Sequence, residues 1–192
     1  MIIAFSTSSA LASVAAIDRK SGAVWSGSDW APQAASGACF RLLQAMAKDL
    51  SIRLEDAELF AADIGPGSFT GVRVGVTLAK SFGYLYSRPV AGATSFDLIA
   101  NDRTVVLPSK KGEYFIRHPF QLPVRGVVLP EDPFVGFGPE IDPEVYPEAC
   151  RFANITEQLV AVDAMSFVPD YLIEPSISMP KKPFLAIART GD

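Results

Sequence analysis

The chain has 192 residues, 49% hydrophobic and 20% charged, with a net charge of -4 and a sequence pI of about 5.1. This is the composition of one folded domain or two small ones with a real core, and it excludes a disordered chain. The acidic balance also argues against a protein that grips RNA by itself, because Lys110-Lys111 and Lys181-Lys182 are only pairs and no dense basic block exists.

No apolar run approaches the roughly 20 residues that span a bilayer. The opening residues carry no basic region, and Asp18-Arg19 end the first apolar stretch, so neither a membrane anchor nor a secretory leader is expected. Cys39 and Cys150 are isolated thiols, as in a reduced cytoplasmic protein.

Ile2 to Thr7, Leu11 to Ile17 and Ala23 to Trp30 alternate apolar and small polar residues and read as three strands. Ser8-Ser9 and Asp18 to Gly22 supply the turns. Ala34 to Leu50 repeats its apolar residues near a 3.6-residue period and reads as a helix. Leu59 to Ile64 is a short buried strand, and Phe69 to Tyr86 a long helix. Pro89 to Ala91 begins another element, and Ser95 to Ile99 is a short helix with Ser95 near its cap. Beyond a boundary near residue 102, short strands are expected at Thr104 to Leu107, Glu113 to Arg117, Val124 to Leu129 and Phe134 to Phe137. One helix is expected over Asn154 to Phe167. Most prolines fall in this second part, which favours loops and edge strands. The order gives an α/β layer with a mixed sheet in residues 1–102 and a smaller second domain in residues 103–192.

The most informative stretch is Gly65-Pro66-Gly67-Ser68-Phe69-Thr70-Gly71-Val72-Arg73-Val74-Gly75, where an apolar strand turns into a helix. The first two glycines permit a sharp turn that Pro66 stiffens, and Ser68 can cap the helix. Inside the helix, Gly71, Gly75 and Gly83 form a stripe, with Ala79 filling the gap. Each interior glycine costs about 1 kcal/mol relative to alanine, so the three together cost roughly 3 kcal/mol. A compensating close approach of other backbone is expected. It comes either from the chain's own sheet or from a second protein. A third reading makes the turn a phosphate cradle at a helix N-terminus, but no Gly-Lys-Ser/Thr follows and no Gly-x-Gly-x-x-Gly is present.

Other candidates are weaker. His118 is the lone histidine, so no metal site of the His-Glu-x-x-His kind and no Ser/His/Asp set is expected, and no catalytic residue is assigned. Asp18, Asp29, Asp97 and Asp102 sit where caps and turns explain them. Asp63 precedes the glycine turn, which makes it a candidate site residue, although a carboxylate there would repel phosphate. Trp25 and Trp30 lie on an expected edge strand, either packed or free to anchor an interface.

The eleven residues Gly65 to Gly75 resemble the signature of the TsaB (YeaZ) family, whose members also carry a glycoprotease or peptidase label. Phe5 to Ser8, Val90 to Leu98, Lys111 to Tyr114, Gly136-Phe137-Gly138 and Pro169 to Leu172 echo further family landmarks. The resemblance implies an actin-like (ASKHA) fold of two ribonuclease-H-like halves, the second reduced. It implies a cytoplasmic accessory subunit, without catalytic activity of its own, that pairs with a TsaD-like enzyme in threonylcarbamoyladenosine modification of tRNA. The enzyme would hold the metal and active site, tRNA would be met only indirectly, and ATP or ADP would sit at a joint interface. By the same resemblance, Gly71, Val72, Arg73, Gly75, Val76, Ala79 and Lys80 are expected at a dimer interface with the enzyme or with a second copy. Departures are Ser6 where the family opens with Asp, Ala35 where it has His, and Pro108-Ser109 where it has Asp-Ala. Two alternatives stand beside this reading: an independent ATPase or kinase using the glycine turn, and a self-associating scaffold.

Overall fold

The computed structural model describes residues 1–110, 112–170 and 172. Lys111, Tyr171 and the Lys181-Lys182 pair lie outside the described residues. The first three strands are β1 (Ile2–Ser6), β2 (Leu11–Ile17) and β3 (Val24–Trp30), an antiparallel meander with Ile2 opposite Ile17 and Leu11 opposite Trp30. Helix α1 (Ala35–Leu50) follows, then β4 (Leu59–Asp63), α2 (Phe69–Leu85), β5 (Val90–Ala93) and the short α3 (Ser95–Ile99). Strands β4 and β5 join parallel to β1, giving the order β3-β2-β1-β4-β5.

Strand alternation divides the core in two. Ile3, Phe5, Val14, Phe60 and Ala62 point to one face, where Cys39, Leu43 and Met46 of α1 and Val72, Val76 and Ala79 of α2 cover them. Phe82 stacks on Phe60 with ring centroids 5.6 Å apart and on Phe5 at 6.2 Å. Ile2, Ala4, Ala15, Ile17 and Ala61 point to the other face and meet Leu98, Phe152 and Ile155. Both faces are covered, which is why β1 is buried along its whole length.

A second sheet follows, made of β6 (Thr104–Pro108), β7 (Tyr114–Arg117), β8 (Val124–Gly126) and β9 (Phe134–Gly136) in the order β8-β7-β6-β9. Phe96 and Ile99 of α3 pack with Val105, Leu107, Phe115 and Phe137, so α3 lies against both sheets. An ion pair between Asp97 and Arg117 ties it down, and Arg117 also donates to the Ala100 carbonyl at 2.6 Å.

The chain then returns to the first sheet, in a form that differs from expectation. No single helix spans Asn154 to Phe167. A 3-10 segment, Ala149–Gln158, breaks at Ile155 (φ -128), and a 3-10 turn forms at Ala164–Ser166. Asn154, Ile155 and Thr156 are weak helix formers. The backbone of Val162 bonds instead to Val90 (3.0 and 2.8 Å), extending the edge of β5. Strand β8 ends at Gly126, short of the Leu129 expected. The cap of α3 is Thr94, the residue before Ser95: Asp97 N–H donates to Thr94 Oγ1 (3.2 Å) and Thr94 N–H to Asp97 Oδ2 (3.1 Å), a capping box. Phe152 is fully buried beneath the second face. Phe152→Ala is expected to lower unfolding free energy by about 3–5 kcal/mol, checked by urea titration.

Candidate functional site: the signature turn and its helix

The turn after β4 is held on three sides. Gly65 has φ +98 and Pro66 follows through a cis peptide. The Ser95 N–H donates to the Gly65 carbonyl at 2.8 Å, and the Ser68 N–H to the Ser8 carbonyl at 2.7 Å. A Cβ on Gly67 would stand 2.3 Å from that Ser8 oxygen, so glycine is required there for close approach. Ser68 caps α2 as expected, its hydroxyl accepting from the Gly71 N–H at 3.2 Å.

The glycine stripe of α2 lies against the end of β1. Thr7 Oγ1 donates to the Gly71 carbonyl (2.7 Å) and accepts from the Gly75 N–H (3.0 Å), inserting a hydroxyl into one rung of the helix. This is the compensation that the helix-weakening glycines require, and it comes from within the chain. A Cβ at Gly71 would be 2.0 Å from the Thr7 carbonyl oxygen, and one at Gly83 would be 2.5 Å from Val90 Cγ1. Gly71, Val72, Gly75, Val76 and Ala79 are all buried. Within the chain these five pack against its own strands, at the place where the family resemblance leads one to expect a dimer interface. Of the other expected interface residues, Arg73 is exposed and lies over the Phe69 ring, 3.8 Å from its centroid. Lys80 is half-buried, its Nζ donating to the carbonyls of Met165 (2.9 Å) and Phe167 (3.3 Å). Phe69 and Thr70 stand exposed at the start of the helix, and Pro66 is buried in the turn.

Beneath the turn sits a group that the sequence signalled only in part. The Asp63 carboxylate, 0% exposed, accepts from Ser6 Oγ (2.9 Å) and Ser8 Oγ (2.5 Å) on Oδ2, and from Ser95 Oγ (2.7 Å) and the Gly65 N–H (2.9 Å) on Oδ1. Burial pushes the carboxyl up from its ordinary value, while these four hydrogen bonds pull the other way. Ser6, where the family has Asp, is thus a donor to a carboxylate one strand over. The clue was a run of small hydroxyl residues closing β1 with a lone acid closing the parallel neighbour. The carboxylate faces into this cluster, which disfavours the phosphate-cradle reading.

The remaining candidates have ordinary partners. Asp18 accepts from Lys20 N–H (2.9 Å) and Ser21 Oγ (2.6 Å), which hold its carboxyl below the usual value, and Asp29 pairs with Arg41. Asp102 lies 3.6 Å from Arg103. His118 Nδ1 lies 3.0 Å from Thr104 Oγ1. Trp25 donates to Asp49 at 3.0 Å, and Trp30, 58% exposed, meets Tyr146 edge-on at 5.5 Å. Cys39 is buried, its thiol pushed up to about 12, and Cys150 is half-buried and unpaired with it. Among the described residues no group of three His, Cys, Asp or Glu could hold a metal ion, and no helix is long and apolar enough to cross a membrane.

The two sheets, with a β3-β2-β1-β4-β5 core and a signature turn at the end of β4, define an α/β protein with the fold seen in YeaZ. A crystal structure described as an uncharacterized protein with similarity to peptidase YeaZ from Pseudomonas aeruginosa superposes with a TM-score of 0.76 at 18% identity. The match covers 90% of this chain and 99% of that one. In sequence, residues 31–111 match the family model "TsaD: tRNA N6-adenosine threonylcarbamoyltransferase". An uncharacterized protein of Mycobacterium leprae (strain TN) is 30% identical over 113 residues, which is 53% of this chain and 30% of the relative. The tRNA threonylcarbamoyladenosine biosynthesis protein TsaB of Bacillus subtilis (strain 168) is 33% identical over 58 residues, 30% of this chain and 25% of the relative. The matched stretches span less than a third of the length of either curated relative. The chain resembles the TsaB (YeaZ) family in sequence and in fold.

Proposed function

We propose that this chain is a non-catalytic partner of a TsaD-like enzyme in the threonylcarbamoyladenosine modification of tRNA. The observation that carries the reading is the TsaB-like signature turn and helix on a YeaZ-like fold, within a stretch that also matches the threonylcarbamoyltransferase family model. The serine at position 6, closed onto Asp63, supports an accessory rather than a catalytic role, since the carboxylate is spent on the chain's own hydroxyls. The partner docks on the outward side of α2. There Phe69 is 44% exposed, Tyr84 69% and Leu85 65%, and Arg73 stacks on Phe69. Stacked aromatic and arginine side chains are the residue types that dominate interface energies. ATP or ADP, where used, sits at the joint with the enzyme, tRNA is held by the enzyme, and the complex works in the cytoplasm.

The test is co-purification with the TsaD homologue from the same genome, followed by reconstitution of the modification. Arg73→Glu is expected to weaken association by about 2 kcal/mol, roughly thirtyfold, with the circular dichroism spectrum unchanged. A variant that binds as tightly as the parent removes α2 as the docking face. A parent chain that binds no homologue removes the partner reading, and a second copy on the same face, seen as a dimer by size exclusion, would take its place. Tight ATP binding with turnover by the chain alone would favour an independent enzyme.

A further inference from the structure

Among the described residues, Asp63 is the one charged side chain that is fully buried; three hydroxyls and one N–H face its two oxygens, and Ser95 Oγ also lies 3.0 Å from Ser8 Oγ. Oδ1 receives the Gly65 N–H, which can only donate, together with Ser95 Oγ. Oδ2 faces the hydroxyls of Ser6 and Ser8, each of which can turn round and accept. Ser6 Oγ has a second acceptor within reach, the Pro147 carbonyl at 3.0 Å, and one hydroxyl hydrogen cannot serve both. Pro147 leads directly into the 3-10 segment that covers the second face of the first sheet.

We propose that Asp63 is the positioning residue of the signature turn, and that a proton taken up on its Oδ2 switches the Ser6 hydroxyl from the carboxylate to the Pro147 carbonyl. In the ionised state, four donors from β1, the turn after it, the signature turn and α3 converge on one point and fix the direction in which α2 leaves. In the protonated state, the new Oδ2–H donates to a serine oxygen, Oδ1 keeps Gly65 and Ser95, and Ser6 moves its hydrogen to Pro147. One proton enters from solvent, and no bond between heavy atoms changes. Burial of the carboxylate favours proton uptake, in line with the upward displacement of its pKa.

The titratable groups on the surrounding elements are committed or set apart. Asp97 of α3 is engaged by Thr94 and Arg117. Glu148 and Cys150 lie half-buried beside and within the 3-10 segment, and Asp170 is exposed, with its backbone on Ile64. β1 and the β1–β2 turn contribute only Ser6, Thr7, Ser8 and Ser9. For partner affinity the inference rests on α2 being the docking face; the proton switch does not depend on it.

The experiment follows the Gly65 amide and the Pro147 carbonyl carbon by NMR in the full chain, from about pH 4 to pH 8. A Glu148→Gln background removes the adjacent carboxyl. The two signals are expected to move through one shared midpoint above the usual carboxylate range. Ser6→Ala should leave the Gly65 step and abolish the Pro147 step, and Asp63→Asn should abolish both. A Gly65 amide that does not titrate, or a Pro147 carbonyl that stays still while Gly65 moves, overturns the switch. Binding to the TsaD homologue near neutral pH is expected to fall about tenfold in Asp63→Asn. Undiminished binding overturns the positioning role. Failure of the parent chain to bind overturns only the docking reading and leaves the titration as the judge of the switch.

Discussion

Gly71→Ala is expected to leave little folded protein, although alanine is the better helix former. The substitution gains about 1 kcal/mol of helix propensity. Against this, the new Cβ would lie 2.0 Å from the Thr7 carbonyl oxygen, a backbone atom next to the central strand β1. Such an atom cannot rotate aside as a side chain would. Moving it pulls β1 away from β2 and β4 and breaks the Thr7 hydroxyl bonds to Gly71 and Gly75. A loss on the order of 4 kcal/mol or more is expected, a large part of a typical domain's stability. Gly37→Ala on the exposed side of α1 is the control, since its Cβ would meet only Arg41 Nη1 at 3.6 Å. That change should stabilise by up to about 1 kcal/mol. Thermal melts of the two variants beside the parent check both signs, and a Gly71→Ala melt equal to the parent's would contradict the packing described.

Ser6→Asp, which would restore the residue that the family resemblance leads one to expect, is predicted to destabilise the fold by about 3–5 kcal/mol at neutral pH. A second carboxyl would be brought beside Asp63 in a pocket sealed from water, and the two cannot both ionise there cheaply. The sign of the pH dependence follows. Asp63 already has a folded-state pKa above its unfolded value, so its stability contribution is full below the unfolded pKa and is lost as pH rises through the folded one. Ser6→Asp should deepen that loss, so its deficit is smallest in acid and grows toward neutrality. The exchange Ser6→Asp with Asp63→Ser, which keeps one carboxylate and one hydroxyl, should recover most of the loss. Urea titrations at several pH values would show this, and a flat deficit across pH would contradict the like-charge explanation.

Much of the first sheet was legible because two signals agreed there. A short run of apolar and small residues in Leu11 to Ile17 and a 3.6-residue period in α1 each matched one element, and the turns between them carried serine, glycine and aspartate. The return of residues 149–167 was not legible. Its apolar residues are spaced as a helix could use them, and only contact with β5 and the underside of the sheet decides that they form 3-10 turns and a bridge. The glycine stripe was legible as a demand for close approach but not as to its supplier. Helix cost is the same whether the neighbouring backbone belongs to this chain or to another. What decided it was Thr7, whose hydroxyl enters the rung between Gly71 and Gly75, and nothing in a threonine following a strand announces that role. Asp63 was visible as an acid near a turn. Its partners Ser6, Ser8 and Ser95 lie 57, 55 and 32 positions away in sequence, and a strand end, a turn and a helix start carry no sign that they share one carboxylate.

The late return of the chain to its first sheet bears on how the protein is made. The Ser6 hydroxyl reaches Pro147 across 141 sequence positions, and Ser13 Oγ accepts from the Ala149 N–H at 2.9 Å across 136. While the nascent polypeptide leaves the ribosome, the meander, α1 and α2 can already form. Ile2, Ala4, Ala15 and Ile17 nonetheless stay wet until Phe152 and Ile155 have been synthesised. Closing so long a loop is a slow event, and the uncovered apolar surface is sticky in the meantime. A fragment ending near residue 102 should therefore precipitate or recruit chaperones, whereas one extended through residue 170 should remain in solution.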